Sequence, residues 1–370
     1  MPESPSKLQR DAARSVVNRY LKVQPGENVI VESWDHVRPM ASAMVDEVRR
    51  AGGKVLLVHN DEDSWWRAIE RKQTKLLGES SAPEWAALKA ADVYVNFWGP
   101  SQSDRIQKLP DDPGNEAFAW NWPWYAVARR TGLRGVRMTT GFATEDRART
   151  WGLDLPEWEE QILKATLVDP EKMAKSGAQL SKSLSQGKRV QITHPNGTDL
   201  SLTLTGAVPR VQDGRPRSWE KKAPRASMLT NIPAGFVDVA LDSRAAGGQF
   251  HANRRTNIWW NWHSGAELGF SDGRLTAYSF KDGEEEFARQ YHDGSAGKDL
   301  ISALTFGLNP VVKDVPNLEK WEGGCVSLQI GGNVGLGGKN RSNFFTWFCL
   351  AGADVAIDGT PVVRGGNLIL

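Results

Sequence analysis

The sequence predicts two domains: an α/β domain with a mostly parallel sheet over residues 1–186, then a β-rich α+β domain over residues 187–370. Three observations carry this expectation. A chain of 370 residues exceeds one average domain. In the first half, short apolar runs alternate with helix-length amphipathic stretches, the pattern of strands joined by crossover helices. From Gly187 onward the texture changes to short alternating segments punctuated by Gly, Asn and Asp.

The elements follow in order. Val29 to Ser33 is an apolar run after a Pro25-Gly26 turn, and reads as the first strand. Met40, Ala43, Met44, Val45 and Val48 form one stripe of a helix from Pro39 to Arg50, stopped by Gly52-Gly53. Lys54 to His59 is the second strand, and Ser64 to Leu77 the next helix. Asp92 to Phe97 and Gly135 to Thr139 are further strands, with a helix from Glu116 to Thr131 between them. In such sheets functional residues lie beyond the carboxyl ends of the strands, here Trp34-Asp35-His36, His59 to Asp63 and Trp98-Gly99-Pro100. A helical segment from Glu157 to Gln186 leads into the second domain. There Val190 to His194 and Asp199 to Leu204 flank Asn196-Gly197, the preferred dipeptide of a type I′ hairpin. Ser271-Asp272-Gly273 and Asp358-Gly359 mark further turns.

Composition narrows function by exclusion. Basic and acidic residues number 46 and 44 with no block of like charge, so no electrostatic footprint for nucleic acid or an anionic membrane is present. Cys325 and Cys349 form no CxxC pair and are too few for a disulfide framework. No apolar run reaches the roughly 20 residues a spanning helix needs, and Met1 to Ser6 lacks a signal-peptide core. A cytoplasmic protein acting on a small molecule is expected, without nucleic-acid or membrane partners.

Familiar catalytic signatures are absent: no HExxH helix, no GxSxG elbow, and a glycine-rich 331–339 loop that lacks the residues of a phosphate loop. None of the six histidines has metal-pair spacing. Asp238, His251 and His263 fall around the densest aromatic cluster and are the acid/base candidates, or ligands of a relocated metal if folding unites them, with His292. Sixteen tryptophans against five tyrosines is unusual. They cluster as Trp65-Trp66, as Trp120, Trp122 and Trp124, and as Trp259, Trp260 and Trp262. Read as an extended segment, Trp120, Trp122 and Trp124 would share one face. Core packing explains much of this; an aromatic-walled pocket for a compact planar ligand explains the rest.

Several segments in order resemble the aminopeptidase T/aminopeptidase S family of metallopeptidases. They are Tyr20 to Val29, Leu167 to Asp169, Gly197 to Leu200, Ile232 to Gly235, Phe280 to Asp293 before Gly307 to Asn309, Gly337 to Ser342, and Ala356 to Gly359. The resemblance implies an aminopeptidase-T-like fold, a homodimer enclosing a cavity, and two divalent metals that activate water. It also locates the ligands, and each is replaced. Phe236 stands for the first glutamate, Ala303 for the second, Ser327 for a histidine and Val334 for a tyrosine. Phe345-Thr346-Trp347 stands for the histidine-tryptophan-aspartate motif. The motif of the ring-cleaving relatives similar to 2,5-dihydroxypyridine dioxygenase is missing too. No metal and no cofactor are therefore expected. The leading expectation is a metal-independent enzyme that hydrolyses or cleaves a compact aromatic or heterocyclic molecule. Its pocket is built from Trp98, Trp120, Trp122, Trp124, Phe236, Trp259, Trp260, Trp262, Phe345, Thr346 and Trp347. The alternatives are a non-catalytic binding protein, or an aminopeptidase or dioxygenase with a relocated metal.

Overall fold

The computed structural model describes residues 4–102, 105–106, 108–109, 116–119, 121–204, 208–216, 229–241, 245–258 and 261–370. They divide into two units, residues 1–167 with 214–233 and residues 168–213 with 234–370.

The first unit is built on a parallel sheet. Its strands are β1 (Asn28–Trp34), β2 (Lys54–Asn60), β3 (Val93–Phe97), β4 (Arg134–Met138) and, far downstream, β8 (Leu229–Ile232), in the order β2-β1-β3-β4-β8. Val29, Val31, Val93 and Val95 are fully or almost fully buried, as expected of strands with helices over the sheet. The helix Arg38–Arg50 buries Met40, Ala43, Met44 and Val48. The helix expected over 64–77 is two, Glu62–Glu70 and Thr74–Leu77. Lys72 adopts φ 58°, and this left-handed residue ends the first of them. The expected 157–186 helix likewise divides into Leu155–Thr166 and Pro170–Gln186, because Asp169 caps the second helix and Pro170 opens it.

The second unit carries two larger sheets. An antiparallel set runs β14-β13-β10-β6-β5-β18-β19-β20. Its members are β5 (Arg189–Thr193), β6 (Asp199–Thr203), β10 (Ala246–His251), β13 (Glu267–Ser271), β14 (Arg274–Ser279), β18 (Asp354–Ile357), β19 (Thr360–Arg364) and β20 (Asn367–Leu368). A five-stranded set runs β17-β16-β15-β9-β7, from β7 (Arg210–Gln212), β9 (Phe236–Ala240), β15 (Ile301–Gly307), β16 (Val326–Gly331) and β17 (Phe345–Leu350). β11 (Thr256–Ile258) and β12 (Asn261–His263) pair as a ribbon. One core joins the two large sheets: Ile192, Leu202, Phe250 and Leu268 from the first meet Val237, Leu304, Leu328 and Phe348 from the second. The helix Glu284–Asp293 adds Phe287.

Two expectations are corrected here. The boundary is not a single cut at 186/187, because the Pro170–Gln186 helix packs against β7 and β9 while β8 pairs with β4 in the first unit. Nor is Asn196-Gly197 a type I′ turn, since Asn196 keeps a negative φ and only Gly197 is positive, at 101°. Thr193 pairs with Asp199, so the loop is longer, and the Asn196 side chain accepts from the Thr198 amide. Among the described residues, two-residue turns with both φ positive are at Asp272-Gly273, Asp358-Gly359 and Gly365-Gly366.

Candidate active site

Strand pairing in the five-stranded sheet aligns residues of one parity on the face opposite the core. Arg210 pairs with Asp238, Asp238 with Thr305, Thr305 with Ser327, and Ser327 with Cys349. Phe236 pairs with Gly307 on one side of this row; Ala303, Gln329 and Trp347 follow one another on the other side. Phe345 and Trp347 share that face and stack with ring centroids 6.5 Å apart. The alternation of β9, Phe-Val-Asp-Val-Ala, is thus the reason Asp238 leaves the core while Val237 and Val239 enter it.

A short turn, Glu319–Trp321, supplies the missing side of the site. Lys320 Nζ lies 4.3 Å from the Trp347 ring centre and 5.4 Å from that of Phe236. Trp321 meets Phe236 edge-on at 5.2 Å. Asp238 is 4 % exposed; its Oδ1 lies 4.0 Å from Arg210 Nε and has no hydrogen-bond partner among the described residues. The indole N–H groups of Trp321 and Trp347 also lack one. Burial pushes the Asp238 carboxyl up to about 6 against the opposing charges of Arg210 and Lys320. Burial also lowers the Lys320 ammonium, with Asp238 opposing. The site therefore joins a carboxylate that exchanges a proton near neutrality with two cations and a wall of rings.

Beside them Ser327 Oγ and Cys349 Sγ are 3.0 Å apart. Burial works against the Cys349 thiolate, but hydrogen bonds from Cys325 and Ser327 and the charge of Lys320 more than offset it, so its thiol lies below the ordinary value. Cys349 is wholly buried, which suits it to a fixed hydrogen-bonding role under the site rather than to nucleophilic attack.

The structure brings together Phe236, Asp238, Phe345 and Trp347 and separates the other candidates from them. Thr346 points into the sheet's other face, 1 % exposed. His263 packs at 5.3 Å against both Phe280 and Phe348, on the core side, with neither ring nitrogen hydrogen-bonded among the described residues. Burial pushes its imidazole down to about 3. His251 Nδ1 is held 2.8 Å from the Asn196 carbonyl oxygen at the hairpin loop. The expected union of Asp238 with His251 and His263 is thus replaced by one of Asp238 with Lys320 and Arg210. His292 is exposed beside Asp293. Val334 sits exposed in a short turn. Trp262 lies near Arg255, 5.7 Å from ring to guanidinium. Trp98 and Trp124 belong to the first unit, where both line a cavity. The extended reading of 120–124 is corrected: Asn121–Thr131 is a helix, which takes the alternate residues to different faces. Trp120, Trp259, Trp260 and the Trp122 side chain lie outside the described residues. Lys320 carried no signal in the sequence, since a lone lysine in a three-residue turn looks like any surface charge.

A divalent metal does not fit this donor set. The positions that the resemblance assigns to ligands hold Phe236, Ala303, Ser327, Phe345 and Trp347, and among the described residues no three His, Cys, Asp or Glu side chains group as a metal site. No described helix is long and apolar enough to cross a membrane.

Comparison with known proteins agrees with the architecture. Wild-type AmpT from Thermus thermophilus superposes with a TM-score of 0.72 at 16% identity, covering 98% of this chain and 99% of that one. The structure of 2,5-dihydroxypyridine dioxygenase from Pseudomonas putida KT2440 gives 0.62 at 15% identity, covering 100% and 98%. No curated protein sequence matches. The family model for thermophilic metalloprotease (M29) matches residues 6–297, ending ahead of the strands that carry Ser327, Phe345 and Trp347. By that match, and on an aminopeptidase-T-like fold, the chain belongs to the M29 family of thermophilic metalloproteases.

Proposed function

We propose that this family member is a metal-independent enzyme that hydrolyses or cleaves a carbon–nitrogen bond in a compact aromatic or heterocyclic molecule. The observation that carries the reading is a set of three buried polar atoms with no partner among the described residues in one aromatic-walled site: Asp238 Oδ1, Trp321 Nε1 and Trp347 Nε1. A planar ligand with polar edges satisfies them, its ring lying against Trp347 and Phe345. Asp238 takes a proton from water as the water oxygen attacks the substrate carbon, then returns a proton to the leaving nitrogen. Lys320 and Arg210 supply the positive charge that divalent ions supply in a metallopeptidase, facing the oxygen that becomes negative. The family resemblance also carries a homodimer, which light scattering checks.

The test is turnover of a panel of aromatic and heterocyclic amides by chelator-treated protein. Product is expected without added metal, with a loss of about 10²- to 10⁴-fold in Asp238→Asn. Turnover that requires a divalent ion, or that survives this substitution, overturns the proposal. Quenching of tryptophan fluorescence by panel members with no product from any of them favours a binding protein instead.

A further inference from the structure

The first unit contains a site that the chemistry around Asp238 does not use. In the order β2-β1-β3-β4-β8, the chain builds outward in opposite directions from the β1/β3 pair, and crevices at such switch points are where open parallel sheets take ligands. Here a cavity of about 350 Å³ lies over that region, within the range of small-molecule sites. Trp34, Trp65, Trp85, Trp98, Trp124 and Phe118 wall it.

Two opposite charges stand on its floor. Glu32 of β1, Asn96 of β3 and Arg137 of β4 occupy one register row. Asn60 Nδ2 donates to Glu32 Oε1 at 3.0 Å, and the Tyr94 hydroxyl donates to the other oxygen. Glu84 is a like-charged neighbour of Glu32, and among the described residues Glu32 makes no ion pair with a cation. Arg137 lies with its guanidinium 4.5 Å over the Trp98 ring and donates to the Tyr125 hydroxyl. Its Nε is buried with no partner, and no carboxylate pairs with it among the described residues. A half-buried carboxylate with no cation and a guanidinium with no anion among the described residues, in one cavity, are complementary to a zwitterion.

The spacing of the two strands admits a small zwitterion. With about 4.8 Å between neighbouring strands, Glu32 and Arg137 are rooted about 10 Å apart. Two charge-assisted hydrogen bonds of about 2.8 Å on either side of an α-ammonium and α-carboxylate about 3 Å apart span roughly 8 to 9 Å. The aromatic walls then receive an apolar, preferably flat, side chain, and ring faces also favour the ammonium. We infer that this cavity binds a free α-amino acid with an aromatic side chain, its ammonium on Glu32 and its carboxylate on Arg137.

Calorimetric titration of the whole protein tests this with L-phenylalanine, phenethylamine and 3-phenylpropionate. L-phenylalanine is expected to bind at least tenfold more tightly than either analogue, each of which lacks one charge. Glu32→Gln is expected to remove its advantage over 3-phenylpropionate, and Arg137→Gln its advantage over phenethylamine. Equal binding of phenethylamine and L-phenylalanine overturns the proposal in favour of a simple cation site. No binding of L-phenylalanine to the wild-type protein overturns it outright. The three-ligand comparison on the wild type reads both charges without any substitution, so misfolding of a variant cannot conceal the answer.

Discussion

Replacing Asp238 with Asn removes the one ionisation at the centre of the proposed active site while keeping its shape. The carboxyl has an ordinary value of 3.8 and is pushed up to about 6 by burial in the fold. Between these values the folded protein holds a proton that the unfolded chain has released, so stability falls as pH rises from about 4 to about 6. At 1.36 kcal/mol per pKa unit, the displacement costs the wild type about 3 kcal/mol once Asp238 is ionised. Asn does not ionise, so Asp238→Asn gains on the wild type across the same window and holds its advantage above it. Urea unfolding of both proteins at intervals from pH 4 to pH 8 measures the difference, in which titrating groups not coupled to Asp238 cancel. A difference in stability that is the same at pH 4 and pH 8 refutes the claim that Asp238 ionises at a cost in a closed site.

Other perturbations have equally definite outcomes. His263 is neutral in the fold, with its pKa lowered from 6.5 to about 3, so the stability it contributes is present above pH 6.5 and is lost as pH falls toward 3. His263→Leu should spare the protein about 2 kcal/mol at pH 5 in urea unfolding, and should leave any turnover intact because the ring lies on the core side. Asp61 Oδ1 accepts from the Ser64 amide at the start of the Glu62–Glu70 helix, and Asp61→Ala should cost about 1 kcal/mol by the same measurement. Glu62 accepts from the amides of Ser101 and Gln102 and from Trp66 Nε1 while 6 % exposed; Glu62→Ala strands those donors and should cost about 3 kcal/mol, detected as a lowered Tm. Gly359, at φ 81° in its two-residue turn, should lose about 1 to 2 kcal/mol as Gly359→Val.

What the sequence revealed depended on the length over which each signal runs. β1 to β3 each carry a short apolar run (Val29 to Val31, Val55 to Val58, Val93 to Val95), β4 alternates Val136 and Met138 with arginines, and their parallel arrangement followed from the helices between them. Leu229 to Ile232 is only four residues long, one of them Asn, and its partner β4 lies some ninety residues earlier, so nothing local marks it as the sheet's fifth strand. The resemblance foretold that Phe236, Ala303, Ser327, Phe345 and Trp347 would meet, and the register of β9, β15, β16 and β17 puts them on one face. Sequence proximity could not foretell that Asp238 and His263 fall on opposite sides of that sheet. The parity of β9 sends Asp238 outward, whereas His263 enters from a separate ribbon to pack on Phe348. Lys320, which now faces Asp238, reaches it from a turn that no periodic pattern governs.

The late arrival of β8 has a consequence for how the polypeptide is made. The first unit requires residues 214–233, yet a long helix and a hairpin belonging to the other unit lie between these residues and 167. Emerging from the ribosome, the chain displays β4 with an open edge until Ile232 has been synthesised. An exposed parallel edge is a template for pairing with a second molecule. A fragment stopped at residue 186 should accordingly self-associate at micromolar concentration. Supplying residues 229–233 in the same molecule through a flexible linker should restore a monodisperse species. The order in which the gene is read thus places the most aggregation-exposed interval of this protein between the translation of Met138 and that of Ile232.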